Sequence, residues 1–351
     1  MLNGHGLYTG VSGSGKSMMA KQEIGFVALN TDHDIIVVDP EREYGPLIRA
    51  LGGEVITISA SNGSYVNALD ISKEYGDGRN PLVLKSEFIM SLCQQLMGAG
   101  EIGAKEKSII DRCTANIYRK YIHKYEGDLP TLKNLYDDLL RQKEPAAHEI
   151  ALALELFTTG SLDIFGREST VDLNKPYVVF DIHGLGEQLK PAGSLVITDT
   201  ILNRVTLNWK RGKRTHVFID EFHVMFENEQ SGIFFNSAWR QFRKRGAYPT
   251  AITQNVEYLL DSVQASTMLS NSEFIVMLNQ AASDRAKLAK LLNISNEQMS
   301  YVTNADAGCG LIRYGSALVP FINRFPRDTK LYALMTTKPG EGVFGGEEVP
   351  A

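Results

Sequence analysis

Seven short apolar runs punctuate the chain, at Gly6–Thr9, Asp34–Val38, Glu54–Ile58, Tyr177–Asp181, His216–Ile219, Pro249–Thr253 and Glu273–Leu278. Runs this short and this uniformly apolar, bounded by turn residues, read as strands buried on both faces. Between several of them helical patterns appear, at Lys16–Asn30, Pro191–Asn208, Gly232–Lys244 and Asp284–Leu292. Strands alternating with amphipathic helices predict an α/β fold, a mostly parallel sheet with helices on both faces.

The alternation stops between about Leu82 and Phe165. Helical patterns follow one another there, at Lys85–Leu96, Lys105–Tyr125, Leu132–Gln142 and Ala146–Phe157, without a strand. Breakers border the segment, Gly76-Asp77-Gly78-Arg79-Asn80-Pro81 before it and Gly160-Ser161 near its end. The predicted organisation is a core of residues 1–81 and 166–330, an all-helical insertion at 82–165 that packs as a separate lobe against the core, and a C-terminal tail at 331–351. Leu311–Tyr314 and Leu318–Ile322 flank Gly315-Ser316 and predict a hairpin. The Gly- and Pro-rich end, Lys338–Ala351, reads as loose.

The first strand runs into Gly10-Val11-Ser12-Gly13-Ser14-Gly15-Lys16-Ser17, which fits GxxxxGK[ST]. Glycines let such a loop curl until successive N–H groups face a phosphate chain. The helix that starts at Lys16 adds the partial positive charge of its N-terminus. Lys16 is placed to reach the β- and γ-phosphates, and the Ser17 hydroxyl to ligate Mg²⁺. The expected nucleotide-binding set is Gly10, Ser12, Gly13, Ser14, Gly15, Lys16, Ser17 and Met18, with ATP and Mg²⁺ as ligands.

A second constellation closes the strand His216-Val217-Phe218-Ile219 with Asp220-Glu221. A buried parallel strand delivers its last residues to the carboxyl edge of the sheet, where ligands bind. Asp220 is expected to hold Mg²⁺ through water, and Glu221 to take the proton of the attacking water. A glutamate directly after the aspartate marks the RecA-like hydrolytic division rather than kinases or GTPases. Gln254 closes the next strand and is the candidate for sensing the γ-phosphate or orienting the water. Asp39-Pro40-Glu41-Arg42-Glu43-Tyr44 belongs on the same edge, where Glu43 either touches nucleotide and water or pairs with an arginine.

Two basic clusters flank the acidic strand, Lys210-Arg211-Gly212-Lys213-Arg214 before it and Arg240–Arg245 after it. An arginine finger, contacts to nucleic-acid phosphates and a solvated face all compete for them. Arg243 is the finger candidate, acting on a neighbour's γ-phosphate, because its segment should approach the active edge; Arg245, Arg240 and Arg313 come next. Composition narrows the classes. The net charge of −5 gives no general attraction to nucleic acid. Cys93, Cys113 and Cys309 lack CxxC spacing, and the seven histidines form no HExxH pair, so no zinc site is predicted. No apolar run reaches the roughly 18 residues of a membrane span. The first strand begins almost at once, leaving no signal peptide, and a cytoplasmic location is expected.

In order along the chain, Thr9–Ser17, Val37-Val38-Asp39-Pro40-Glu41-Arg42-Glu43-Tyr44, Val66-Asn67-Ala68-Leu69-Asp70, Ile219-Asp220-Glu221, Arg243-Lys244-Arg245-Gly246, Thr253-Gln254-Asn255-Val256-Glu257-Tyr258-Leu259-Leu260 and Leu269-Ser270-Asn271-Ser272 resemble one family. It is the C-terminal ATPase half of the VirB component-four ATPases of type IV secretion, with TraC, TraE and CagE proteins, in the FtsK/HerA superfamily. The likeness runs from about residue 3 to 325. Ala68 departs from it, standing where relatives often carry proline. The resemblance implies a RecA-like core interrupted by an all-helical domain, ATPase work in pilus assembly and substrate transfer, and a position peripheral to the inner membrane. It also implies an N-terminal half ahead of these residues, a ring of copies, a hexamer when the chain is full length, and contacts to other secretion components. The competing reading is a DNA-translocating motor of the HerA/FtsK or coupling-protein kind, with DNA as partner. A non-hydrolysing P-loop scaffold is a third, opposed by the intact set Lys16, Ser17, Asp220 and Glu221.

Overall fold

The structure, a computed structural model, describes residues 4–59, 64–76, 79–98, 102–226, 228–262, 265–266, 268, 272–338, 341, 343–344 and 347–348. Of the motifs above, Asp77-Gly78 and Leu269-Ser270-Asn271 lie outside the described residues, as does part of the C-terminal end.

Nine strands form one sheet: β1 (Gly6–Thr9), β2 (Asp34–Asp39), β3 (Glu54–Thr57), β4 (Tyr177–Asp181), β5 (Thr215–Ile219), β6 (Ala247–Thr253), β7 (Phe274–Met277), β8 (Cys309–Tyr314) and β9 (Ala317–Ile322). Their spatial order is β3-β4-β2-β5-β6-β1-β7-β8-β9. The first seven pair in parallel. The predicted hairpin adds β8 and β9 antiparallel at one edge. All seven predicted strands are present within two residues of their expected ends. β2 shows why the pattern was continuous rather than alternating. All six of its residues are buried, Ile36 and Val38 in the apolar cluster on one face, Ile35 and Val37 in the cluster on the other.

The helices are α1 (Lys16–Asn30), α2 (Gly45–Ala50), α3 (Pro81–Met97), α4 (Ala104–Lys124), α5 (Leu132–Leu140), α6 (Pro145–Thr158), α7 (Lys190–Lys210), α8 (Glu229–Lys244), α9 (Val256–Asp261), α10 (Ala282–Leu292), α11 (Asn296–Met299) and α12 (Lys330–Met335). Helices α1, α2 and α12 pack on the Ile35/Val37 face. Helices α3–α8 lie on the other. The four helices between β3 and β4 start where the sequence signals them: Asn80 accepts the Leu82 N–H ahead of Pro81, and Pro145 opens α6.

Two findings differ from expectation. The inserted helices are packed so closely against the core that no boundary in the apolar cluster separates them from it. Phe88, Ile89 and Leu92 of α3 join Val196 and Ile201 of α7 in one continuous apolar cluster, and Lys85 of α3 pairs at 2.8 Å with Asp199 of α7 inside it. The limit at residue 331 falls inside α12, whose Met335 is buried against α1 and α2. One and a half turns are too short to show a helical period. Beyond it Val343–Phe344 and Glu347–Glu348 pair antiparallel, so the described part of the end is not loose.

Candidate active site

β1 lies between β6 and β7 in the sheet, and the loop that follows it sits at the carboxyl edge. Gly10 is required by close packing: a Cβ there would meet Ser14 Oγ at 2.6 Å and Leu278 Cβ at 2.9 Å. The loop is held from behind. Val11 donates its N–H to Asn279 O at 2.8 Å, and Ser14 donates N–H and hydroxyl to Val11 O at 3.2 and 2.7 Å. Gly13 (φ +75°) and Gly15 (φ +103°) take left-handed conformations open to glycine without strain. Ser12, Gly13, Gly15, Lys16, Ser17 and Met18 line a cleft of about 650 Å³. Gly10 and Ser14 do not line it; they shape the loop.

β5 delivers Asp220 and Glu221 to the same cleft. β6 intervenes between β5 and β1, so Gln254 at its end stands between the acids and the loop and lines the cleft too. Glu221 has φ +41°, an unusual value for a residue with a side chain. One of its carboxylate oxygens is buried without a hydrogen-bond partner, and His223 Nδ1 lies 3.4 Å from it. Asp220 accepts the Glu221 N–H at 3.0 Å. Burial pushes its pKa up to about 7, with the Glu221 and Glu43 carboxylates adding to the rise and the Tyr44 phenol opposing it. Lys16 is buried, and desolvation lowers its pKa against the pull of Glu221, Asp220 and Glu43. Its amine donates to Val11 O at 3.2 Å.

The loop after β2 folds on Asp39, which accepts the N–H groups of Glu43 and Tyr44 at 3.0 and 2.9 Å. Glu43 pairs with a lysine, not an arginine: Lys21 Nζ of α1 is 3.7 Å away and fully buried. Arg42 turns instead to Asp181, at 2.8 Å. Glu43 also lines the cleft.

Sequence reasoning missed the opposite wall, formed by Ala307, Gly308, Asn323, Arg324, Phe325, Arg327, Tyr332 and residues 335–338. Gly308 N donates to Ser14 O at 2.9 Å. The available signal was Arg324-Phe325-Pro326-Arg327, cations straight after the last strand.

Arg243 is not brought to the cleft of its own chain. It lies in the last turn of α8 at the other edge of the sheet, where burial, with the Arg243 charge adding to it, holds His5, ahead of β1, at a pKa of about 4. A helix that returns beside a parallel strand runs opposite to it, so its C-terminus meets the strand's beginning. β6 then separates Arg243 from Gln254 by seven residues, ~23 Å at 3.3 Å each. Arg245 is buried and donates to Thr206 Oγ1 at 2.6 Å; Arg240 bonds Asn236 Oδ1, and Arg313 bonds Gly315 O. Of the other basic cluster, Lys213 pairs with Asp34 at 2.5 Å.

Hard oxygen donors suit Mg²⁺, and the cleft offers the Ser17 hydroxyl and a desolvated Asp220 carboxylate with acids beside it. A divalent cation would supply the charge this group lacks. Among the described residues no cluster of three His, Cys, Asp or Glu has the arrangement of a metal site, and none is needed for an ion held by one carboxylate, one hydroxyl and phosphates.

The family model of the TraG P-loop domain matches residues 1–308. Among curated proteins no relative matches the chain. Among solved structures the chain is similar to VirB4 of Thermoanaerobacter pseudethanolicus, at 22% identity and a TM-score of 0.74, over 92% of this chain and 90% of that one. It is also similar to the plasmid coupling protein TrwB in complex with the ATP analogue ADPNP, at 16% identity and TM-score 0.57, over 93% and 88%. TrwB with ADP and Mg²⁺ matches at 14% identity and TM-score 0.55, over 93% and 87%. At these identities the likeness is one of fold.

Proposed function

Because the chain belongs to the TraG P-loop domain family, we propose that it binds Mg-ATP at Gly10–Ser17 and hydrolyses it as the ATPase of a type IV secretion or conjugation apparatus. The observation that carries the reading is the meeting of Lys16, Asp220, Glu221 and Gln254, from three neighbouring strands, around one cleft. Lys16 and the loop amides bind the phosphate chain. Ser17, and Asp220 through water, would hold Mg²⁺, which would supply positive charge to the phosphates. Glu221 draws the proton from the attacking water while Gln254 orients it.

Hydrolysis powers pilus assembly and substrate transfer, with copies joined in a ring and other secretion components as partners at the inner membrane. No helix among the described residues is long and apolar enough to cross a membrane. Arg243, exposed at the edge away from its own cleft, serves the cleft of the next copy. The test is ATP turnover by wild type and Lys16→Ala, with circular dichroism on both. Turnover should be lost with the fold kept; equal turnover removes the reading. The likeness to TrwB favours a second reading, a DNA-translocating motor. Stimulation of turnover by DNA would select it.

A further inference from the structure

The wall of the cleft facing α1 comes from the end of the antiparallel hairpin, outside both phosphate-loop and acidic-strand motifs. Its backbone is tied to the phosphate loop in two steps. Gly308 donates its N–H to Ser14 O at 2.9 Å, and Asn323 donates its N–H to Gly308 O at 2.7 Å. Asn323 Nδ2 then donates to Gln22 Oε1 of α1 at 2.8 Å. Contact is close enough that Gly308, at φ +81°, leaves no room for a Cβ, which would lie 2.4 Å from Asn323 O. Arg324 is the next residue, and its side chain lines the cleft that Lys16 lines. Arg327 is drawn to Glu341, whereas Arg324 makes no ion pair among the described residues.

Position along the cleft decides what such a cation meets. The acids Asp220 and Glu221 and the amide of Gln254 define the end where the γ-phosphate reacts. Gln22, which anchors Asn323, is six residues along α1 from Lys16, ~9 Å at 1.5 Å per residue. Arg324 therefore stands toward the other end. We propose that Arg324 binds the α- and β-phosphates of the nucleotide in cis, as a second cation beside Lys16; the assignment rests on the reading that this cleft takes a nucleoside triphosphate. A guanidinium presents paired N–H donors to phosphate oxygens, and the hairpin end presents it already positioned.

The test is calorimetric titration of wild type, Arg324→Ala, Arg324→Lys and Lys16→Ala with Mg-ADP and with a non-hydrolysable ATP analogue. Arg324→Ala should weaken both ligands by the same factor, about 10-fold for one charge-assisted contact. Arg324→Lys should recover part of the loss, and kcat at saturating ATP should stay within about 3-fold of wild type, since uniform binding is lost. Arg324 is exposed, so melting curves without nucleotide should coincide. Wild-type affinity in Arg324→Ala, with Lys16→Ala impaired, overturns the assignment and leaves the nucleotide reading intact. A loss confined to the ATP analogue overturns it as well, by moving Arg324 to the γ-phosphate. A wild type that binds neither ligand removes both readings.

Discussion

The two edges of the sheet treat buried charge in opposite ways. At the amino edge Asp34, fully buried, is met by Lys213 at 2.5 Å, by Arg204 through two N–H groups at 2.5 and 2.8 Å, and by Asn208 Nδ2 at 2.6 Å. His5 and His216 there are desolvated to pKa values of about 4 and stay neutral. At the carboxyl edge Asp220 is almost as buried, yet burial, with the Glu221 and Glu43 carboxylates adding to it, raises its pKa to about 7. β2 and β5 are neighbours, so the contrast is not one of strand or depth. The amino edge satisfies Asp34 within the fold, whereas the carboxyl edge, which pairs Asp181 and Glu43, leaves Asp220 and Glu221 for a ligand to complete, the usual mark of a functional site.

Arg243 is the group through which this comparison is most easily broken, because it sits on the satisfied edge and is assigned to another copy's unsatisfied one. Arg243→Ala should cost 10³–10⁵-fold in kcat, roughly the worth of an arginine finger. Mixing it with Lys16→Ala subunits, which keep Arg243, should restore turnover in assemblies. Assembled mixtures that stay inactive would return Arg243 to its own edge as a local charge.

Next in size is Glu221→Gln. The amide keeps the shape but cannot take a proton, so turnover should fall by roughly 10²–10⁴-fold with Mg-ATP affinity retained. If Asp220→Asn stopped turnover while Glu221→Gln did not, the roles of the two acids would be exchanged.

What was legible in the sequence follows from the same contrast. Strands buried on both faces announce themselves by uninterrupted apolar runs, and GxxxxGK[ST] and Asp220-Glu221 are contiguous, so the loop and acids could be read directly. The far wall could not. Gly308 and Asn323, the neighbour of Arg324, are tied to the cleft by hydrogen bonds to Ser14 and Gln22, some 300 residues away in sequence, and no local period encodes that. Lys21 was hidden for a related reason: a lysine in an amphipathic helix reads as solvated, yet its amine is buried against Glu43 and Met335 O. Arg243 was misplaced because closeness in sequence to Gln254 ignored the direction in which a helix returns beside its strand.

An effect on stability rather than turnover is the most direct measure of the unsatisfied edge. Unfolded, Asp220 should titrate near 3.8; folded, near 7. Below about pH 4 both states hold the proton and the group contributes nothing adverse. As pH rises toward 7 the unfolded chain releases its proton while the folded chain keeps it, and stability is lost progressively until the folded carboxylate ionises. At 1.4 kcal/mol per pKa unit the loss is at most about 4 kcal/mol. Asp220→Asn removes it. Without nucleotide, the variant should therefore melt higher than wild type by a margin that grows from pH 4 to pH 7 and is level above. Mg-ADP should shrink the margin, because it gives the ionised wild-type carboxylate the positive partner it lacks and gives the amide little. Asp34→Asn at the other edge should behave in the reverse sense and melt lower than wild type, since it strands Arg204 and Lys213. Melting curves of the three proteins across pH decide the matter. An Asp220→Asn margin that is flat with pH, or that widens with Mg-ADP, would mean that the carboxyl edge is as well satisfied as the amino edge and that no ligand is needed to complete it.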